Sequence, residues 1–251
     1  MSEESLRGRV FVVTGSGRGL GAALARAAGA AGARVVVNCR RDGREAEAVA
    51  ADVERLGGQA LAVRADVAVF EEARGLVERA IGRWGRIDVL VNTVGVFHWS
   101  ALVDTDPGDW RRIVASNLDS VFHMCRLVVP HMRDRRFGRI VNFAAVGSAA
   151  TQGEPEMAAY SAAKAGVIAL SRSLALEEAR CGITVNVVSP GLLRDEADER
   201  SGRSDGLLGD RVPVGHAGAA ADVVRAVLFF ASPAADFVTG QVVEVAGGAR
   251  S

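Results

Sequence analysis

Residues 14–21, Thr-Gly-Ser-Gly-Arg-Gly-Leu-Gly, narrow most what this chain can fold into. They follow the apolar run Val10-Phe11-Val12-Val13 and open an alanine-rich stretch from Ala22 to Ala31. That order reads as strand, glycine turn, helix. The glycines allow positive φ and let the backbone come close to a bound group. The helix that follows turns its free N–H groups and the positive end of its dipole on the turn. An anion belongs there, and the pyrophosphate of a dinucleotide is the usual one. Gly15, Ser16, Gly17, Arg18, Gly19, Leu20 and Gly21 are the first candidate binding residues.

The remaining pattern alternates. Strands are expected over residues 10–14, 34–39, 59–65, 87–92, 139–144, 183–189 and 241–245. Helices are expected over 19–32, 43–56, 69–84, 107–136, 158–180 and 219–231, with Pro107 in a first turn and Pro130 able to bend the long fourth helix. The run Arg-Val-Val-Val-Asn-Cys at 34–39 has the continuous β-branched character of a strand covered on both faces. Alternation of this kind implies an α/β fold, a doubly wound parallel Rossmann-type sheet of about seven strands with helices on both faces. Ligands of such sheets sit beyond the carboxyl ends of the strands. With 251 residues, no internal repeat and no low-complexity linker, a single domain over 1–251 is expected. The long polar stretch from Gly191 to Val212 breaks the rhythm and reads as a lid over the ligand.

Composition excludes several classes. Lys+Arg and Asp+Glu are 30 each, so no basic excess points to nucleic acid. No run has the length of a membrane span. Cys39, Cys125 and Cys181 are odd in number and far apart, which suits neither a disulfide framework nor a metal site and implies a reducing, cytoplasmic setting. The polar Met1-Ser2-Glu3-Glu4-Ser5 does not look like a signal peptide.

Tyr160 and Lys164 stand four apart on an expected helix, on one face and one turn from each other. A phenol with pKa ~10 is a poor acid at neutral pH, and a neighbouring ammonium favours its anion and draws the value down. Tyr160 could then pass a proton to a carbonyl oxygen. A dinucleotide site specific for NAD places a carboxylate at the end of the second strand. Here that position is Cys39, followed by Arg40 and Arg41, with Arg18 in the glycine turn. Arginine grips phosphate with a planar fork, so NADP(H), with its 2′-phosphate, is the expected cofactor.

These pieces together resemble the classical short-chain dehydrogenase/reductase family over nearly the whole chain. The matching residues are Thr14-Gly15-x-x-x-Gly19-x-Gly21, Ala65-Asp66-Val67, Asn92-Thr93-Val94-Gly95, Asn117, Tyr160-x-x-x-Lys164, Ser189-Pro190-Gly191, Val238-Thr239-Gly240-Gln241 and Gly247-Gly248. The resemblance implies that Asp66 accepts from the adenine amino group and that Val67, Asn92, Gly95, Pro190 and Gly191 border the cofactor. It implies that Lys164 also holds the nicotinamide ribose, and that Asn117 holds a water linking the lysine to solvent. It further implies a homotetramer, with a dimer second, and a small-molecule carbonyl substrate. A ketone reductase acting on a cyclic or polyketide-type metabolite is the leading expectation.

Three positions depart from the family pattern. Its catalytic serine aligns with Ala145, which leaves Ser148 as a nearby hydroxyl to serve instead. Thr93-Val94 stands where Asn-Ala is usual, and no threonine follows Pro190-Gly191 directly. Without the serine, a non-redox reaction (dehydration, epimerisation or cyclisation) and a non-catalytic NADP(H)-binding protein are the alternatives. Val96-Phe97-His98-Trp99 and residues 151–157 are expected to border the substrate.

Overall fold

A computed structural model describes residues 6–194 and 212–249. Seven strands form one parallel sheet in the order β3-β2-β1-β4-β5-β6-β7. They are β1 Val10–Thr14, β2 Arg34–Cys39, β3 Gln59–Arg64, β4 Val89–Asn92, β5 Gly138–Phe143, β6 Ile183–Pro190 and β7 Val242–Val245. Among the described residues the α-helices are α1 Gly19–Ala30, α2 Gly43–Arg55, α3 Phe70–Trp84, α4 Pro107–Val114, α5 Ser120–Arg135, α6 Ala158–Glu178 and α7 Ala220–Ala231. The expected lid lies mostly outside the described residues, at 195–211.

Period-two alternation distributes the strand residues between two cores. Phe11 and Val13 of β1 pack with Val35, Val37, Val89 and Val91 beneath α1, α2 and α7. Val12 points the other way, with Val36, Leu90, Ile140 and Val185, beneath α3, α5 and α6. All five residues of β1 are buried, as a strand covered on both faces requires. The strand order reverses between β1 and β4, so a crevice opens at their carboxyl ends.

Buried amides hold those ends in place. Asn38, at 1% exposure, accepts the Gly15 N–H on Oδ1 (3.0 Å) and donates from Nδ2 to the carbonyls of Val63 (3.2 Å) and Ala65 (3.0 Å). The glycine turn is thereby tied to β2 and β3. Farther along the sheet, Asn92 Nδ2 donates to Asn142 Oδ1 (2.8 Å), and Asn142 Nδ2 donates to Ser171 Oγ of α6 (2.8 Å). This chain of bonds fixes the helix that carries Tyr160 and Lys164 against β4 and β5.

The long helix expected over 107–136 is interrupted. Pro107 does open α4, with the Asp106 side chain capping the Gly108 N–H (2.6 Å). Residues Ala115–Asp119 then form a π-helical turn before α5. Asn117 lies inside it, and its Nδ2 donates to the carbonyl of Ile113 (3.0 Å) and to that of Val96 (2.8 Å). A regular helix would give the Ile113 carbonyl to a backbone N–H. The side chain therefore competes with the ladder at the place where it also reaches out of the helix. Such turns concentrate at functional sites.

Replacing Asn38 by Ala leaves the Gly15 N–H and two strand-end carbonyls short of a partner. We expect a loss of about 1–3 kcal/mol of stability, read by urea unfolding. An unchanged midpoint would contradict the role given to Asn38.

Candidate active site

The crevice holds a cleft of about 450 Å³ walled by Gly15, Gly17, Arg18, Asn38, Cys39, Arg40, Arg41, Asp66, Val67, Thr93 and Gly95, among others. Gly15 (φ +61°) and Gly19 (φ +54°) bend the turn. Gly21 is where close approach matters most, because a Cβ there would lie 2.6 Å from the Gly15 carbonyl oxygen. Helix α1 thus starts almost on the strand end. Its first turn contains no acidic side chain, and Arg18 caps it in extended conformation. A bare N-terminus and a turn closed to side chains form a cradle for a phosphate group.

Several of the expected ligands face elsewhere. Ser16 is fully buried; its Oγ donates to the Val13 carbonyl (2.6 Å) and accepts the Asn38 N–H (2.9 Å). Leu20, Gly19 and Gly21 shape the turn without lining the cleft. Asn92 is committed to Asn142 inside the sheet. Gly191 packs against Ala246, 2.8 Å from where its Cβ would stand. Conversely, Asn38, Asp42 and Glu45 line the cleft unforeseen. Asn38 is a polar residue in a buried β-branched run, which is the one signal that could have marked it.

Around the ends of β2 and β3 the charges are mixed. Arg40 lies 3.5 Å from Asp66 Oδ2, and Asp66 Oδ1 also accepts the Ala68 N–H (3.0 Å). Asp42 caps α2 and pairs with Arg44 (2.9 Å), so its carboxylate is spent locally. Cys39 is buried, its Sγ 3.2 Å from the Asp42 carbonyl, and burial pushes its thiol up.

A second chamber of about 220 Å³ shares Thr93, Gly95 and Val96 with the cleft. Its other walls are Phe97, Asn117, Phe143, Ala144, Ala145, Tyr160, Lys164 and Pro190. Phe97 sits edge-on between Tyr160 (5.1 Å) and Trp99 (5.0 Å), and the Ser100 N–H bonds to the Glu156 carbonyl (2.8 Å), closing the loops over this side. Ala145 lines the chamber. Ser148 is buried in a short 3-10 turn and does not line it. His98 does not line it; its Nε2 lies 3.8 Å from Asp109 Oδ2.

Lys164 is 5% exposed, and its Nζ donates to the Phe143 carbonyl (3.0 Å) and lies 5.5 Å from the Tyr160 ring centre. Loss of solvation pushes its pKa down to about 8. Spacing alone implied a lowered Tyr160 phenol; burial pushes it up. Asn117 Oδ1 is buried without a partner. It faces Gly95, where a Cβ would stand 2.5 Å from that oxygen and 3.5 Å from Lys164 Nζ. Only a glycine at 95 keeps the amide and the ammonium on one small opening. Among the described residues no cluster of His, Cys, Asp and Glu could hold a metal ion.

Residues 15–250 match a family described as enoyl-(acyl carrier protein) reductase. The chain belongs to the short-chain dehydrogenase/reductase family. A 3-oxoacyl-[acyl-carrier-protein] reductase of Synechocystis is 38% identical to this family member over 245 residues, covering 97% of this chain and 98% of that one. The 3beta-hydroxysteroid dehydrogenase 1 of Eggerthella lenta is 38% identical over 252 residues, covering 98% and 95%. A gluconate 5-dehydrogenase from Burkholderia cenocepacia, solved with NADP and tartrate, superposes with a TM-score of 0.88 at 34% identity, covering 99% and 98%. The chain is therefore an oxidoreductase of this family. No helix among the described residues is long and apolar enough to cross a membrane.

Lys164 supplies a pH test. Its folded-state pKa, about 8, lies below the ordinary 10.5. Between those values the unfolded chain binds the extra proton, so this group makes stability rise with pH over that window. We expect Lys164→Met to abolish that rise in urea titrations at pH 8 and pH 10, whereas an identical slope in both proteins would contradict a buried, depressed lysine.

Proposed function

We propose that the protein is an NADP(H)-dependent reductase of ketones, or the reverse alcohol dehydrogenase, acting on a cyclic or polyketide-type metabolite. The observation that carries this reading is that Tyr160 and a buried Lys164 line one chamber next to the cleft, the Nζ 5.5 Å from the ring centre. The cradle fits a nicotinamide dinucleotide, since it is closed to side chains at Gly21 and bare at the α1 N-terminus. NADP bound to the Burkholderia relative supports the same choice.

In this reading the backbone of residues 15–21 holds the pyrophosphate, and Arg18, Arg40 and Arg41 face the 2′-phosphate, with Cys39 beneath. Asp66 and Val67 border the adenine, and Gly95 and Pro190 the nicotinamide. When bound, the cofactor supplies or accepts a hydride. Tyr160 donates its phenolic proton to the ketone oxygen. Lys164 holds the ribose hydroxyls beside it, and in its charged form offsets the burial that raises the phenol's pKa. The orphan Asn117 Oδ1 accepts from a water that carries the replacement proton toward Lys164. Phe97 and Trp99 give the chamber an aromatic wall that suits a flat ring.

A second reading has one observation in its favour. Ala145 occupies the wall where the family's hydroxyl donor would stand, so the same site could serve a non-redox reaction with bound cofactor. One experiment separates these readings: NADPH oxidation against a panel of cyclic ketones, for wild type and three variants. We expect Tyr160→Phe to bind NADPH and to lose about 10²–10⁴-fold in turnover. Ala145→Ser should gain about 10-fold or more by adding a donor at the oxyanion. Loss of turnover in Ser148→Ala would make Ser148 the surrogate donor. Product formed without net NADPH consumption would select the non-redox reading.

We also propose a homotetramer, with a dimer second, and a cytoplasmic setting that suits three free cysteines. Phe122 on α5, Leu176 on α6 and Val243 on β7 are exposed apolar residues on the elements that would meet. Light scattering after gel filtration reads the assembly, and a monomer at micromolar concentration would overturn it.

A further inference from the structure

Resting on the dinucleotide-binding reading, we propose that Glu45 sets the balance between NADP(H) and NAD(H). Three carboxylates line the adenosine end of the cleft: Asp42, Glu45 and Asp66. Asp66 is paired with Arg40, and Asp42 with Arg44. Among the described residues Glu45 is the lining carboxylate with no ion-pair partner.

Its position is specific. Glu45 stands in the first turn of α2, three residues after the Asp42 cap. Its side chain turns toward the glycine loop rather than along its own helix. A Cβ on Gly17 would lie 3.3 Å from Glu45 Cβ, 3.5 Å from Glu45 Oε2 and 3.2 Å from Cys39 Cβ. Glu45 and the strand-end Cys39 therefore flank one point of the turn. Its negative charge is felt at Cys39, adding to the burial that already pushes that thiol up.

The carboxylate that β2 lacks is thus supplied from the neighbouring helix. An anionic oxygen there accepts from a ribose hydroxyl, which favours NAD(H). The same charge repels a 2′-phosphate and opposes the attraction of Arg18 and Arg41, which also line this end. A purely local role for Glu45, as a charge complementing the α2 dipole, would touch stability and leave cofactor choice alone.

The test is a set of dissociation constants for NADPH and NADH, read from nicotinamide fluorescence, for wild type, Glu45→Gln and Glu45→Ala. Glu45 is exposed, so both variants should fold. We expect NADPH to bind about three- to tenfold more tightly to both variants, and NADH more weakly to Glu45→Ala. Raising the salt should shrink the gain for NADPH, since it is a charge effect. An NADPH-to-NADH ratio within twofold of wild type in both variants overturns the proposal, as does equal weakening of both nucleotides. Wild type binding NADH alone would sink the NADP(H) reading and leave the Glu45 shift measurable. Wild type binding neither nucleotide would sink both.

Discussion

The structure depends on how closely α1 approaches the end of β1. A single methyl group at Gly21 would stand 2.6 Å from the Gly15 carbonyl oxygen. Nothing but glycine permits that distance without moving the helix. Because the approach is this close, the α1 N–H groups point into the crevice where the strand order reverses. Asn38 then locks the arrangement from the side by holding Gly15 and two β3-end carbonyls at once. The cleft is thus a consequence of backbone packing, and its floor is built before any charged side chain is counted.

The chamber around Tyr160 and Lys164 is organised by burial. Lys164 is placed deep enough for its ammonium to be disfavoured, and it leans on the Phe143 carbonyl. Tyr160 is likewise pushed toward its neutral form. Burial thus disfavours the charged form of each group, the ammonium of Lys164 and the phenolate of Tyr160. The Asn117 oxygen, buried and unpaired, belongs to the same economy, since an orphan acceptor of this kind is costly unless a donor arrives. Gly95 keeps the three groups on one opening by having no side chain to fill it.

Much of this was legible in the residues. Strand and helix order followed from hydrophobic period and glycine placement, and the seven-stranded parallel sheet agrees with it. Tyr160, Lys164 and the glycine turn stood out because their chemistry demands local spacing. What stayed hidden depends on contacts distant in sequence. The π-helical turn at 115–119 arises from Asn117 meeting Val96, 21 residues away. Asn92 reads as a cleft residue by position, yet Asn142 claims its side chain from 50 residues away. The burial of Tyr160 was hidden as well, because spacing on a helix gives proximity but not burial. Glu45 was invisible for a related reason: only the fold brings the first turn of α2 against Gly17.

Isotope transfer tests whether this site moves a hydride between NADPH and a ketone, as proposed. The protein is incubated with NADPH deuterated at the nicotinamide C4 position and a cyclic ketone, and the alcohol is analysed by mass spectrometry. One deuterium is expected on the new carbinol carbon with label from one C4 face and none from the other. An alcohol without label from either face, or a transformed substrate with the NADPH unconsumed, would contradict it.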